Sequence, residues 1–197
     1  AAMSNEVLSG YRRIYGENHR LVADALDSLA RIAHAQHRLV EAEELAQQAI
    51  QSEINADGKD HFVTRYLRTT LGLIQNEAGK YAEAEATWRA AIAVFEKNIP
   101  ADHPHRAAAE YHMGVTLLVT HRPKEAEAYF RAAMGRAQRA GEAEWRVARA
   151  ASGLGEALYV QGRAREAESY LVNSYRTVRS SEFADAGTQD VVRRRVV

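Results

Sequence analysis

One phrase, written four times, limits what this chain can become. The segments Arg38-Leu39-Val40-Glu41-Ala42-Glu43, Lys80-Tyr81-Ala82-Glu83-Ala84-Glu85, Arg122-Pro123-Lys124-Glu125-Ala126-Glu127 and Arg163-Ala164-Arg165-Glu166-Ala167-Glu168 each open on a basic residue and close on Glu-Ala-Glu. Their alanines lie 42, 42 and 41 residues apart. Upstream of each, at one constant distance, a small residue follows an apolar one: Leu29-Ala30, Leu71-Gly72, Met113-Gly114 and Leu154-Gly155. Downstream, again at constant distance, stand Ala49, Ala91, Ala133 and Ser174. A period of this length belongs to arrays in which each unit buries its apolar face only by stacking on its neighbours. With only 3 prolines and 12 glycines in 197 residues, the units are helical.

The columns describe a helical hairpin. A small residue in the first helix (Ala30, Gly72, Gly114, Gly155) lets the second helix approach, and an alanine near the start of the second (Ala42, Ala84, Ala126, Ala167) sits in the contact. Four residues beyond that alanine come Ala46, Trp88, Phe130 and Leu171, which face the core. The turns read Gln36-His37-Arg38, Ala78-Gly79-Lys80, Thr120-His121-Arg122 and Gln161-Gly162-Arg163. Glycine in two of them supplies the left-handed conformation of a helix end; His37 and His121 lack that freedom. Helix entries carry Asn18-His19, Asp60-His61 and Asp102-His103, within the phrases Tyr15-Gly16-Glu17-Asn18-His19, Asp57-Gly58-Lys59-Asp60-His61 and Pro100-Ala101-Asp102-His103-Pro104. The Asn or Asp suits an N-cap. The fourth entry, Gly141-Glu142-Ala143-Glu144, loses the phrase, which predicts a looser start.

These columns resemble the tetratricopeptide repeat (TPR), in the longer 42-residue form of kinesin light chains and many bacterial repeat proteins. HEAT-type repeats share the period but not the glycine and alanine columns, and rank below. The resemblance implies an all-α, right-handed superhelix of four helical hairpins plus partial terminal units. The expected division is 15–56, 57–98, 99–140 and 141–181 for the repeats. Residues 1–14 are expected as the second helix of a preceding partial repeat, and 182–197 as the start of a following helix. The chain is expected to be cut from a longer protein, with Ala1-Ala2-Met3 as a cloning remnant.

Composition excludes several classes of function. Lys+Arg 26 against Asp+Glu 26 leaves no net charge to attract nucleic acid or an anionic membrane. No cysteine is present for a disulfide, a thiolate metal site or a cysteine nucleophile, and the cytoplasm is the expected location. No apolar run reaches the length of a membrane span. Phosphate-loop, nucleophile-elbow and His-Glu-x-x-His patterns are absent from the sequence; Gly153-Leu154-Gly155 lies inside a repeat, where Gly155 has a packing role. His19, His61 and His103 form a column along a seam, so no metal or other cofactor is expected. His103-Pro104-His105 reads as a loop. The pairs Glu41 with Glu43 and Glu125 with Glu127 read as solvated faces, and Arg193-Arg194-Arg195 as too short a basic run for nucleic acid.

The remaining surface is the inner face that first helices would line. The resemblance places there Asp27, Arg31 and His34 in the first repeat, with Ser28, and Tyr66, Thr70 and Asn76 in the second, with Thr69 and Leu73. Tyr111 and His112 follow in the third, with Val115 and Leu118, and Arg149, Glu156 and Tyr159 in the fourth, with Ser152. The Asn pair of kinesin light chains and the Lys/Asn/Arg carboxylate clamp of chaperone-binding repeats are not reproduced at these positions. The functional expectation is a non-catalytic scaffold binding a protein, as a peptide or helix, in the concave groove. Two alternatives remain open: a sensory or autoregulatory tail of a larger bacterial signalling enzyme, such as a serine/threonine kinase, or of a transcription regulator; and a homo-oligomerising module that associates through its terminal helices.

Overall fold

The computed structural model describes residues 2–58 and 61–196. Lys59 and Asp60 of the second entry phrase, together with Ala1 and Val197, lie outside the described residues, and so does the expectation that Asp60 caps a helix. Among the described residues there are ten α-helices and no strand. They fall into two compact units, residues 1–98 and 99–197.

In the first unit α1 (Ala2–Tyr15) packs on α2 (Arg20–Ala35), which pairs with α3 (Leu39–Asp57); α3 in turn packs on α4 (Phe62–Glu77), which pairs with α5 (Tyr81–Asn98). In the second, α6 (Pro104–Val119) pairs with α7 (Pro123–Arg139), and α8 (Glu144–Val160) with α9 (Ala164–Ser180). There α7 packs on α8, and α10 (Ala186–Arg194) leans on α9 and α8. First helices also touch each other, α2 with α4 and α6 with α8.

The repeat columns are the core. Ala30, Ala42, Ala49, Ala84, Ala91, Ala126 and Ala167 have no exposed surface, Ala133 has 1%, and Gly72, Gly114 and Gly155 are buried. A Cβ built on Gly72 would meet the Trp88 ring at 2.7 Å, one on Gly114 the Phe130 ring at 2.8 Å, and one on Gly155 the Leu171 Cγ at 2.8 Å. Trp88 and Phe130 are fully buried and Ala46 nearly so, while Leu171 is half-buried. Gly153 was not expected to matter, yet its Cβ would stand 2.4 Å from Phe130, so that ring touches the first helix of the following hairpin as well as its own.

All four turns close alike. The N–H of Arg38, Lys80, Arg122 and Arg163 donates to the carbonyl of Ala33, Gln75, Leu117 and Leu158 at 2.9 to 3.0 Å. This bond satisfies an orphan carbonyl at the end of the first helix. It requires a left-handed residue just before the basic one, and Gly79 and Gly162 provide it at φ 73° and 80°. His37 and His121 adopt the same conformation at φ 56° and 59°, against the expectation from their side chains. The closing bond outweighs the steric cost of their Cβ atoms.

Helix entries correct the capping assignment by one residue. The N-caps are the histidines: His19 Nδ1 accepts from Leu21 N at 3.2 Å and His103 Nδ1 from His105 N at 3.3 Å. His103-Pro104-His105 is therefore a helix start, with Pro104 at a first-turn position where its missing N–H costs nothing, and not a loop. The preceding residue instead ties the entry to the end of its own repeat's second helix. Asn55 Nδ2 donates to Asn18 Oδ1 at 2.9 Å, and Arg139 Nε to Asp102 Oδ1 at 2.8 Å. The fourth entry has Ala143 at the N-cap and no side-chain capping bond.

The glutamate pairs also separate. Glu41 and Glu125 are exposed and paired with Arg38 and Arg122 of their own turns. Glu43, expected in solvent, is buried at 7% and holds Lys80 Nζ at 2.6 Å and Gln75 Nε2 at 3.3 Å from the next hairpin. Glu127 repeats the arrangement with Arg163 Nη1 at 2.9 Å and Gln161 Nε2 at 2.9 Å. Burial would raise the Glu127 carboxyl, but hydrogen bonds from Gln161, Arg131 and Arg163 outweigh it and hold the group below its ordinary range.

Candidate functional site

The first helices expose the faces not covered by second helices, and each unit presents one such face. In the first unit, the α2 and α4 faces bring Asp27 beside Thr70. Asp27 is half-buried; burial pushes its carboxyl above the ordinary value, opposed in part by a hydrogen bond from Thr70 and by the Arg31 charge. One of its oxygens, Oδ1, is buried without a hydrogen-bond partner. Arg31 is exposed, Asn76 half-buried, and Tyr66 37% exposed. His34, expected on an open face, is half-buried and its Nε2 lies 2.6 Å from Glu77 Oε2, while His37 Nδ1 lies 2.9 Å from the other oxygen. Glu77 was not singled out in the sequence; its signal is a position one repeat period, plus one residue, after His34.

In the second unit, α6 and α8 assemble a denser group. Tyr111, expected to line an open groove, is only 6% exposed because the Arg149 guanidinium lies 4.4 Å above its ring and Phe130 packs at 5.7 Å. His112 is half-buried, its ring edge-on to Tyr111; burial and the Arg149 charge push its pKa down to about 3, so the imidazole stays neutral. Arg149 Nε and Ser152 Oγ are buried without hydrogen-bond partners. One turn beyond Ser152, Glu156 pairs with Arg195, a residue with no repeat signature to mark it, and Tyr159 stands 63% exposed. Arg195 Nη1 is a further buried donor without a partner. Tyr111, His112 and Arg149 are thus brought together, Glu156 is drawn toward α10, and Tyr159 stays open.

Such a face, with Tyr159 exposed and the Arg149 guanidinium held over Tyr111, offers aromatic area and charge to a ligand. The family model of the tetratricopeptide repeat matches residues 22–61, 64–138 and 105–180. The chain belongs to the tetratricopeptide-repeat family. No curated protein sequence matches this TPR chain. Solved structures share its fold at low identity. BtubC (BKLC) from P. vanneervenii superposes with TM-score 0.83 at 16% identity, over 89% of this chain and 70% of that one. A Podosopora anserina protein assigned as a kinesin light chain, with nearly identical TPR-like repeats, gives 0.77 at 18%, over 89% and 84%. YrrB, described as a TPR protein with an unusual peptide-binding site, gives 0.59 at 14%, over 95% and 91%. The fold is that of kinesin-light-chain-like TPR proteins. Among the described residues of this TPR protein no helix is long and apolar enough to cross a membrane.

Proposed function

We propose that this TPR protein is a non-catalytic scaffold, working in the cytoplasm, that binds a peptide or helix of a partner protein on its first-helix faces, with no role for nucleic acid. The observation that carries this reading is Arg149: its half-buried guanidinium is already oriented over the Tyr111 ring. A guanidinium already held in place meets a ligand carbonyl or carboxylate at little further cost in side-chain ordering. Exposed Tyr159 follows ten residues along the same helix, offering aromatic area and a hydroxyl. The YrrB description supports peptides as a ligand class for this fold.

The test is capture of a partner by the wild-type chain and by a variant carrying Arg31→Glu, Arg149→Ala and Tyr159→Ala, with equal helicity confirmed by circular dichroism. Tyr111 is left intact because its removal would open the core. A captured partner, reduced to its binding segment, should bind the wild type at least tenfold more tightly than the variant. Equal affinity would refute binding at these faces.

A further inference from the structure

The junction of α3 and α4 holds a group of side chains that packing does not account for. Glu53 and Asp57 are four residues apart on α3, hence on one helix face, and His61 is the N-cap of α4. Glu53 is fully buried. Its Oε1 lies 2.7 Å from His61 Nδ1, and its Oε2 is buried with no hydrogen-bond partner. Among the described residues the other two buried glutamates each face a cation, Glu43 with Lys80 and Glu110 with Arg136 and Arg106. Among the same described residues, Glu53 has an imidazole in that place. A buried carboxylate with half its lone pairs unmet is costly unless a charge compensates it.

The repeat itself shows that acids are not needed here. One period earlier, the positions of Glu53, Asp57 and His61 are held by Tyr11, Tyr15 and His19, where the Tyr15 and His19 rings stack at 4.5 Å. One period later they are Phe95, Ile99 and His103. Only this junction replaces two apolar or aromatic residues with carboxylates beside the shared histidine. One ligand atom from each of Glu53, Asp57 and His61 lies within 4.8 Å of the others.

We propose that Glu53, Asp57 and His61 bind a divalent first-row transition ion of the zinc class, which fastens the end of α3 to the start of α4. One imidazole nitrogen and two carboxylate oxygens are a borderline donor set that suits zinc, cobalt or nickel over the hard cations, and three protein ligands leave a fourth position to water. Zinc bonds of about 2.0 to 2.2 Å set neighbouring ligand atoms about 3.3 Å apart. The 2.7 Å contact opens slightly as the ion replaces the hydrogen bond, and exposed Asp57 swings inward from solvent. Binding brings a compensating charge to Glu53 Oε2, a buried carboxylate oxygen without a hydrogen-bond partner.

The test is isothermal titration of chelator-treated full chain with zinc chloride at pH 7.5. One equivalent should bind with a Kd in the micromolar range or tighter, and Glu53→Gln, Asp57→Asn and His61→Gln should each weaken it at least tenfold. Cobalt should give visible bands whose intensity reports four-coordination, lost in His61→Gln. Asp57→Asn lies at an exposed position, so it reads the site even where Glu53→Gln disturbs packing. Absence of saturable binding below 1 mM, or binding unchanged by Asp57→Asn and His61→Gln, overturns the proposal.

Discussion

Phe130 and Gly153 belong to different hairpins, yet a Cβ on Gly153 would stand 2.4 Å from the Cε1 of the Phe130 ring. The same ring leaves 2.8 Å for a Cβ on Gly114. Gly153→Ala should destabilise the fold by about 1 to 3 kcal/mol through overpacking, overriding the gain in helix propensity. At Gly135 a Cβ would meet only the tip of Arg139 at 3.2 Å, the far end of an exposed and flexible side chain. Gly135→Ala should raise stability by about 0.5 to 1 kcal/mol. Thermal or urea unfolding followed by circular dichroism compares the pair.

His121 holds a left-handed backbone at φ 59° in the turn where Gly162 sits at φ 80°. His121→Gly should stabilise the protein by about 1 kcal/mol, and Gly162→Ala should destabilise it by a similar amount. Opposite shifts in the urea midpoint, at unchanged slope, are the expected result.

Glu41 and Glu43 are two residues apart and differ in environment. Glu43→Ala should cost about 1 to 3 kcal/mol, because it leaves the Gln75 amide and the Lys80 ammonium without their acceptor. Glu41→Ala, at an exposed position, should stay within about 0.5 kcal/mol of wild type. Equal losses in denaturant unfolding would contradict the inter-repeat role of Glu43.

His112 makes stability depend on acid. Its folded pKa of about 3 lies below the ordinary 6.5, so the fold favours the neutral ring. The stability it contributes is complete above pH 6.5 and is lost as pH falls from there toward 3, by up to about 1.4 kcal/mol per pH unit. His112→Gln should flatten this slope. Asp27 runs the other way: its carboxyl is raised from 3.8 by burial, so stability falls as pH rises from that value through the raised one. Asp27→Asn should therefore steady the protein at neutral pH. Unfolding measured from pH 4 to 8 separates the two.

The alanine columns were readable in the sequence because a close helix contact demands the same small residue at each period, and Ala42, Ala84, Ala126 and Ala167 have no exposed surface. The burial of Glu43 was not readable, since Glu168 in the same column is exposed. What decides is whether a following turn delivers a basic residue and a glutamine over it. Capping was misplaced by one residue because Asn18 and Asp102 recur for another reason, the bond to a residue near the end of the same repeat. At the candidate site, residue identities on the first helices were legible, but the burial of Tyr111 depends on Arg149, which arrives from a later helix.

The shared ring of Phe130 has a consequence during synthesis. The hairpin of α6 and α7 can form when residue 139 has left the ribosome, but one side of that ring stays uncovered until Gly153 follows. Adding residues 140 to 153 takes on the order of seconds at about 5 to 20 residues per second. For that interval the nascent chain presents an aromatic edge to whatever is nearby, so pauses in translation between α7 and α8 are where premature association of this protein would begin.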